Sequence, residues 1–172
     1  IAELVSTRQF DVGVVELPVS RPAIAIEPMD PVPLVAVMPA SHRLAAKRQI
    51  SLKDLDAQRM VLLSQHSFVR YQIDDAFSSL GAAPNAVMET PSASIACALV
   101  AAGAGIALVS IWTAVPFIGP DVAVRPIREK LASRYALIFS DTGIRAPLAD
   151  AFGNDLRSEM IAAGQVHAPE GP

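Results

Sequence analysis

Between Met60 and Val109 the sequence switches repeatedly between strand and helix patterns, and that alternation is what most restricts the fold. "MVLL" (Met60–Leu63) reads as a short buried strand, and "SFVRYQIDDAFSSLG", closed by Gly81, as a helix. "AVMET" (Ala86–Thr90) reads as a second strand, "SASIACALVAAG" as a second helix and "GIALVS" as a third strand. Strand, helix, strand, helix, strand in direct succession makes two consecutive βαβ units. Such units require parallel pairing with right-handed crossovers. The fold class predicted is therefore an α/β sandwich.

The flanks extend the same alphabet. The opening "IAELVSTRQF" has a helical pattern, followed by strands at Asp11–Glu16, Ala23–Met29 and Leu34–Met38. Ser51, with Asp54 three residues on, is a helix-start signature for a short turn. "VAVRPI" and "YALIFS" are later strands. A final amphipathic helix is predicted over Ala146–Ala163, with Leu148, Phe152, Leu156 and Met160 on its apolar face. "HAPEGP" reads as a frayed tail.

Composition narrows the function classes. With 172 residues the chain can bury a core of its own as one domain or two small lobes. Fourteen basic residues against 17 acidic ones, without a run of like charge, give no polyanion-binding surface. Cys97 is the single cysteine and lies in an apolar stretch, which excludes a disulfide framework or thiolate cluster within the chain and favours a reducing compartment. No apolar run approaches the roughly 18 to 20 residues that span a bilayer. The chain opens without Met inside a helical pattern and is read as a fragment.

"CALVAAGAGIALVS" (Cys97–Ser110) looks at first like a phosphate-binding glycine loop. Its order argues otherwise. A dinucleotide fingerprint runs strand, glycines, helix, so that the helix N-terminus meets the anion. Here Gly103 and Gly105 follow a helix and precede a strand, which turns the negative end of the helix dipole toward them. The reading is a helix C-cap at Gly103 with a tight turn.

The opposite ends of the same helices are the better anion sites. In an open parallel sheet, ligands bind beyond the carboxyl ends of strands, where helix N-termini converge. Two junctions qualify, Leu62–Arg70 and Met88–Ala96. Ser64, Gln65, His66 and Ser67 enrich the first in polar groups; Thr90, Ser92 and Ser94 enrich the second. A small carboxylate suits either. N-capping by Ser67 and Ser92 accounts for one serine at each and leaves the remaining polar groups unexplained.

Catalytic constellations are thin. His66 beside Ser67 lacks a nucleophile elbow and an orienting acid. His42 and His167 have no neighbours at metal-ligand spacing, so no metal and no cofactor is expected. Asp74 and Asp75 point in different directions on a helix. Arg70 pairs with Asp74 at i,i+4 on a solvated face. Trp112 and Phe117 read as packing. No catalytic residue emerges, and an enzyme is not expected.

In order and spacing, "FDVGVVELP", "PVPLVAVMPASHRLA", "ISLKDLDAQRMVLL" and "VMETPSASIACALVAAGAGIALVS" resemble the effector-binding domain of LysR-type transcriptional regulators. The likeness continues through "RYALIFSD" and "PLADAFGNDL" and covers nearly the whole chain. Arg43 and Ser110 depart from it, each standing where the family often has proline.

The resemblance implies two Rossmann-like lobes with a central cleft, like type 2 periplasmic binding proteins. It places residues 1–38 plus 134–172 in lobe I, whose first strand would precede Ile1, and residues 39–133 in lobe II. Effector contacts carried over from the family fall on Glu16 and Leu17, on Ser64, Gln65, His66, Ser67 and Phe68, and on Thr90, Pro91 and Ser92. Capping and effector contact are both open to His66, and Glu16 is either a cleft carboxylate or a solvated strand end. The implied partners are a small-molecule effector, an antiparallel second copy through the opening helix and the Ser67–Gly81 helix (with a tetramer in the full-length protein), and DNA only through an upstream helix-turn-helix. The implied place is the cytoplasm. Details around "METPSASIACALVAAG" resemble the branch that responds to opines and basic amino acids. An extracytoplasmic solute-binding protein would share this fold but carry an upstream signal peptide.

Overall fold

The computed structural model describes residues 1–166, and His167 with the "HAPEGP" tail lies outside the described residues. The chain forms two compact units, Ile1–Val32 with Ser133–Val166, and Pro33–Ala132.

The first unit is built on a three-stranded sheet. Strands β1 (Val12–Glu16) and β2 (Ile24–Pro28) both run antiparallel to a central strand that returns late in the chain, Tyr135–Ser140. Ala136, Leu137, Ile138 and Phe139 of that strand are all buried. Such a continuous apolar run is what a strand covered on both faces needs, since alternation suits only a half-exposed one. Helix α1 (Ala2–Ser6) packs Val5 against Ile24 and Ile138.

The second unit starts with β3 (Val32–Pro39) and continues through β4 (Arg59–Leu63), α2 (Phe68–Ser79), β5 (Asn85–Thr90), α3 (Ala93–Ala101) and β6 (Ala107–Ser110). The short helix α4 (Ile111–Ala114), β7 (Val122–Pro126) and the two-residue β8 (Ala132–Ser133) follow. The central strand of the first unit is then β9, and the C-terminal helix, Pro147–Val166, is α5. β4 and β5 pair in parallel, with Leu63 opposite Thr90. β4 also meets the start of β6 through a parallel bridge between Met60 and Ile106. The two βαβ units therefore have the predicted parallel direction. β3 then pairs antiparallel with β6 and with β7, which makes the sheet mixed. That pairing draws β3 into the second unit, which begins at Pro33.

The glycine turn folds as its order implies. Ala102 is the C-cap of α3, and Gly103 follows at φ +83°. The Gly103 N–H donates to the Val100 carbonyl (2.8 Å) and the Ala104 N–H to the Leu99 carbonyl (3.0 Å), the paired closure of a Schellman motif. Gly105 lies against the Arg59 carbonyl, so closely that a Cβ there would collide with backbone. The Ile106 N–H donates to that same carbonyl (2.9 Å), which seats β6 beside β4. Cys97 on α3 is fully buried, and burial pushes its thiol up to about 11, so it stays protonated.

The face of α5 differs from expectation. Among its residues 147–162, Ala149 and Gly153 are the buried positions; of the predicted apolar face, Leu156 and Met160 are half-buried while Leu148 and Phe152 are exposed. Gly153 sits against the ring of Phe139, at 3.1 Å from where its Cβ would be. Small residues let the helix approach the sheet, which leaves Leu148 and Phe152 on the outside. Nearby, Arg145 bridges Glu27 and Asp150 (both 2.8 Å) and lies 3.6 Å from the centroid of the Phe139 ring. The Arg145 and Arg157 guanidiniums hold the Glu27 carboxyl below its ordinary range.

Candidate functional site

Parallel pairing of β4 with β5 brings the two strand-to-helix junctions side by side. The Ser64 N–H donates to the Thr90 carbonyl (3.0 Å), tying one junction to the other. α2 and α3 consequently start next to each other, beyond the carboxyl ends of two neighbouring strands. This is where the physics of helix N-termini places an anion.

The two starts are built differently. Ser92 is the N-cap of α3, and its hydroxyl accepts the Ile95 N–H at 3.4 Å. Behind it, the buried Thr90 hydroxyl accepts the Ser92 N–H at 3.3 Å. Ser67 is the N-cap of α2 by backbone conformation, but its hydroxyl makes no capping bond. Ordinary capping, which the sequence offered for both serines, therefore holds for Ser92 and fails for Ser67. Among the described residues, the Ser67 side chain leaves the start of α2 without a capping bond.

Two charged residues complete the first junction. Arg70 is buried, at 9% exposure, which corrects the expectation of a solvated face. It does pair with Asp74, its Nε lying 2.9 and 2.8 Å from the two carboxylate oxygens. Its Nη1 donates to the Leu63 carbonyl (2.8 Å), the last carbonyl of β4, and stands 3.6 Å from Glu89. Glu89 in turn accepts the Gln65 N–H at 3.1 Å. Neither role was evident in the sequence, because Glu89 and Arg70 meet only through the pairing of β4 with β5. The one available signal was an acid beside the polar end of a strand.

The remaining candidates are placed as follows. Gln65 and His66 are exposed, Ser64 and Ser67 half-buried, and Pro91 exposed. Phe68 is exposed and stacks with Tyr71, ring centroids 6.4 Å apart. Glu16 and Leu17 belong to the first unit. Glu16 is exposed at the end of β1, opposite Tyr135, and the Leu17 N–H donates to the Arg134 carbonyl (2.7 Å). His42 serves the backbone, with its Nδ1 accepting the Leu44 N–H (3.2 Å), and burial with Arg43 nearby holds its pKa below the ordinary value. Among the described residues, no group of three or more His, Cys, Asp or Glu is arranged to hold a metal ion. No helix among them is long and apolar enough to cross a membrane.

Comparison with known proteins identifies the framework around these junctions. The family model described as the LysR substrate binding domain matches residues 1–161. The chain belongs to that family. Among its relatives, the regulatory protein NocR of Agrobacterium tumefaciens (strain T37) is 30% identical over 138 residues, covering 80% of this chain and 46% of that protein. The transcriptional activator LysR of Escherichia coli (strain K12) is 26% identical over 163 residues, 93% of this chain and 51% of that protein. The chain thus spans about half the length of these relatives. Of solved structures, HinK, a LysR family transcriptional regulator from Pseudomonas aeruginosa, superimposes with a TM-score of 0.74 at 22% identity, over 92% of this chain and 56% of that one. The CcmR regulatory domain of Synechocystis PCC6803, solved in complex with 2-PG, gives 0.72 at 19% identity, over 92% and 77%. With these neighbours, the LysR substrate-binding domain has the α/β fold of type 2 periplasmic binding proteins.

Proposed function

We propose that this chain is the sensing part of a LysR-type transcriptional regulator acting in the cytoplasm, and that it binds a small carboxylate-bearing metabolite of the amino-acid or opine class. The observation that carries this reading is the side-by-side start of α2 and α3, joined by the Ser64 to Thr90 hydrogen bond, with no capping bond from Ser67 at the start of α2. Converging amide groups and helix dipoles favour a carboxylate over a neutral ligand. Ser64, Gln65, His66, Ser67 and Phe68 at one junction and Thr90, Pro91 and Ser92 at the other are the proposed contacts. Glu16 and Leu17 are the contacts proposed from the first unit. The kinship with NocR, a regulatory protein, supports the class of protein. An effector that binds one arrangement of the units more tightly than another would shift the balance between them. In a homodimer of the full-length protein, that shift would pass to a helix-turn-helix domain.

The test uses Ala93→Pro in the full-length protein. Proline is tolerated at the first helical position and removes one N–H donor there. Amino acids, opines and aromatic acids are screened by thermal shift, since a ligand of the folded state raises stability by mass action. A ligand that stabilises the parent and binds Ala93→Pro about tenfold more weakly supports the site. A ligand whose affinity ignores the substitution places binding elsewhere.

A further inference from the structure

Helices α1, α2 and α3 end in the same hydrogen-bonded closure, but α1 fills it with an unexpected residue. At α2 the Gly81 N–H donates to the Ser78 carbonyl (3.0 Å) and the Ala82 N–H to the Phe77 carbonyl (3.1 Å), the pattern that Gly103 and Ala104 form at α3. At α1 the Arg8 N–H donates to the Val5 carbonyl (3.0 Å) and the Gln9 N–H to the Leu4 carbonyl (2.8 Å). The closure needs one left-handed residue, a conformation that glycine adopts freely and that Gly81 and Gly103 supply at φ +64° and +83°. Arg8 adopts it at φ +59°, against the steric preference of any residue with a Cβ. What arginine adds over glycine is its side chain, kept at the expense of the backbone. That side chain lines a cavity of about 20 Å³ in the first unit, between the turn from α1 to β1 and the segment 139–146. Among the described residues it forms no hydrogen bond or ion pair. Gly143, at φ +81°, lies opposite; a Cβ there would stand 2.8 Å from the Arg8 Nη1, so the absence of a side chain makes room for the guanidinium. Arg145, on the Phe139 ring, also lines the cavity, but its charge is spent on Glu27 and Asp150. Arg8 is the uncompensated cation.

We infer that this cavity is a second ligand site, at the opposite end of β1 from Glu16, and that it takes a small monocarboxylate with an apolar body. Its volume exceeds the roughly 10 to 15 Å³ that one water needs and suits a carboxylate head. Arg8 supplies the charge-assisted hydrogen bonds. The Ser140 and Thr142 hydroxyls lie 2.8 Å apart and the Thr142 N–H donates to the Ser140 oxygen (3.3 Å), so one hydroxyl hydrogen joins the pair and the other is left to donate to the ligand. The ligand's body rests outside the cavity on Phe10 and Ile144, lining residues that are 51% and 91% exposed. Asp11 lines the same cavity without pairing with Arg8 and repels a second negative charge, which favours a monoanion.

Calorimetric titration of the full-length protein with benzoate, benzamide and isophthalate tests the assignment. Benzamide keeps the shape of benzoate without its charge, and isophthalate adds a second carboxylate. The parent is expected to bind benzoate about tenfold or more tightly than either. Arg8→Gly gives the closure of α1 its favoured residue, so it should melt at or above the parent's temperature while binding benzoate about tenfold more weakly. Arg8→Lys, which keeps a cation but not the fork, should bind with intermediate affinity. Hydrogen exchange followed by mass spectrometry locates the ligand: benzoate should slow exchange in residues 8–11 and 140–146. Failure of the parent to bind benzoate overturns the inference, as does equal affinity in the parent and Arg8→Gly. Tighter binding of isophthalate than of benzoate overturns the monoanion class. Slowed exchange confined to residues 64–68 and 90–95 assigns benzoate to the effector site, which overturns this inference and supports that reading.

Discussion

The junctions β4 to α2 and β5 to α3 are topological twins with different chemistry. Both lead from the carboxyl end of a parallel strand into a helix, and both carry serine at the N-cap. At the second, the serine caps its helix. At the first, the serine leaves its helix uncapped, and a buried arginine with two carboxylates organises the turn. Topology delivers two helix N-termini to one place; side chains decide that one stays neutral and the other becomes negative. A site with such unequal halves suits a ligand that is itself polar end to end.

The largest expected effect tests whether the other end of α3 is only structural. Gly105→Val forces a branched side chain into the Arg59 carbonyl and should cost about 3 kcal/mol in chemical denaturation. A variant that keeps its full stability but no longer binds effector would move the site to the glycine turn and break the comparison. Next, Arg70→Ala strips Asp74, Glu89 and the Leu63 carbonyl of a shared partner. Because the carboxylates are nearly half exposed, the loss should be about 2 kcal/mol, below that of a fully buried pair. Arg70→Lys should recover only part of it, since one ammonium cannot reproduce the fork. Ser92→Ala should lower the unfolding free energy by about 1 kcal/mol, the usual worth of a capping hydroxyl. Ser67→Ala should change it by less than about 0.5 kcal/mol, because no cap is lost. Equal costs for the two serines, measured in parallel urea titrations, would erase the difference between the junctions.

Much of the fold was legible because it rests on local rules. The Ser51 turn forms its capping box, with Asp54 accepting the Ser51 N–H at 3.1 Å. The strand predicted at Tyr135–Ser140 forms over those same residues, and the Gly103 closure follows from helix polarity alone. The face of α5 was less legible. A count of large apolar residues selects Leu148, Phe152, Leu156 and Met160, of which only the last two are half-buried, whereas packing against Phe139 selects Gly153, with Ala149 buried beside it. Size at a close contact outweighs hydrophobicity there. In the candidate site, the serines and Thr90 were visible as surplus polar residues at helix starts. Glu89 was not, because nothing within "VMETP" reveals that Gln65 and Arg70 lie across a strand from it.

By itself the sequence determined the alternation of elements, the parallel direction of β4 and β5, the polarity of α3 and the family to which these belong. Each follows from interactions a few residues long, from periodicity, capping and turn chemistry, or from the order of motifs. Only the tertiary structure decided that Arg70 is buried, that Ser67 does not cap, and that Glu89 accepts the Gln65 N–H. Those outcomes depend on which strand neighbours which and how closely they approach. Charge and hydrogen bonding are settled by distances across the sheet, and no local pattern encodes them.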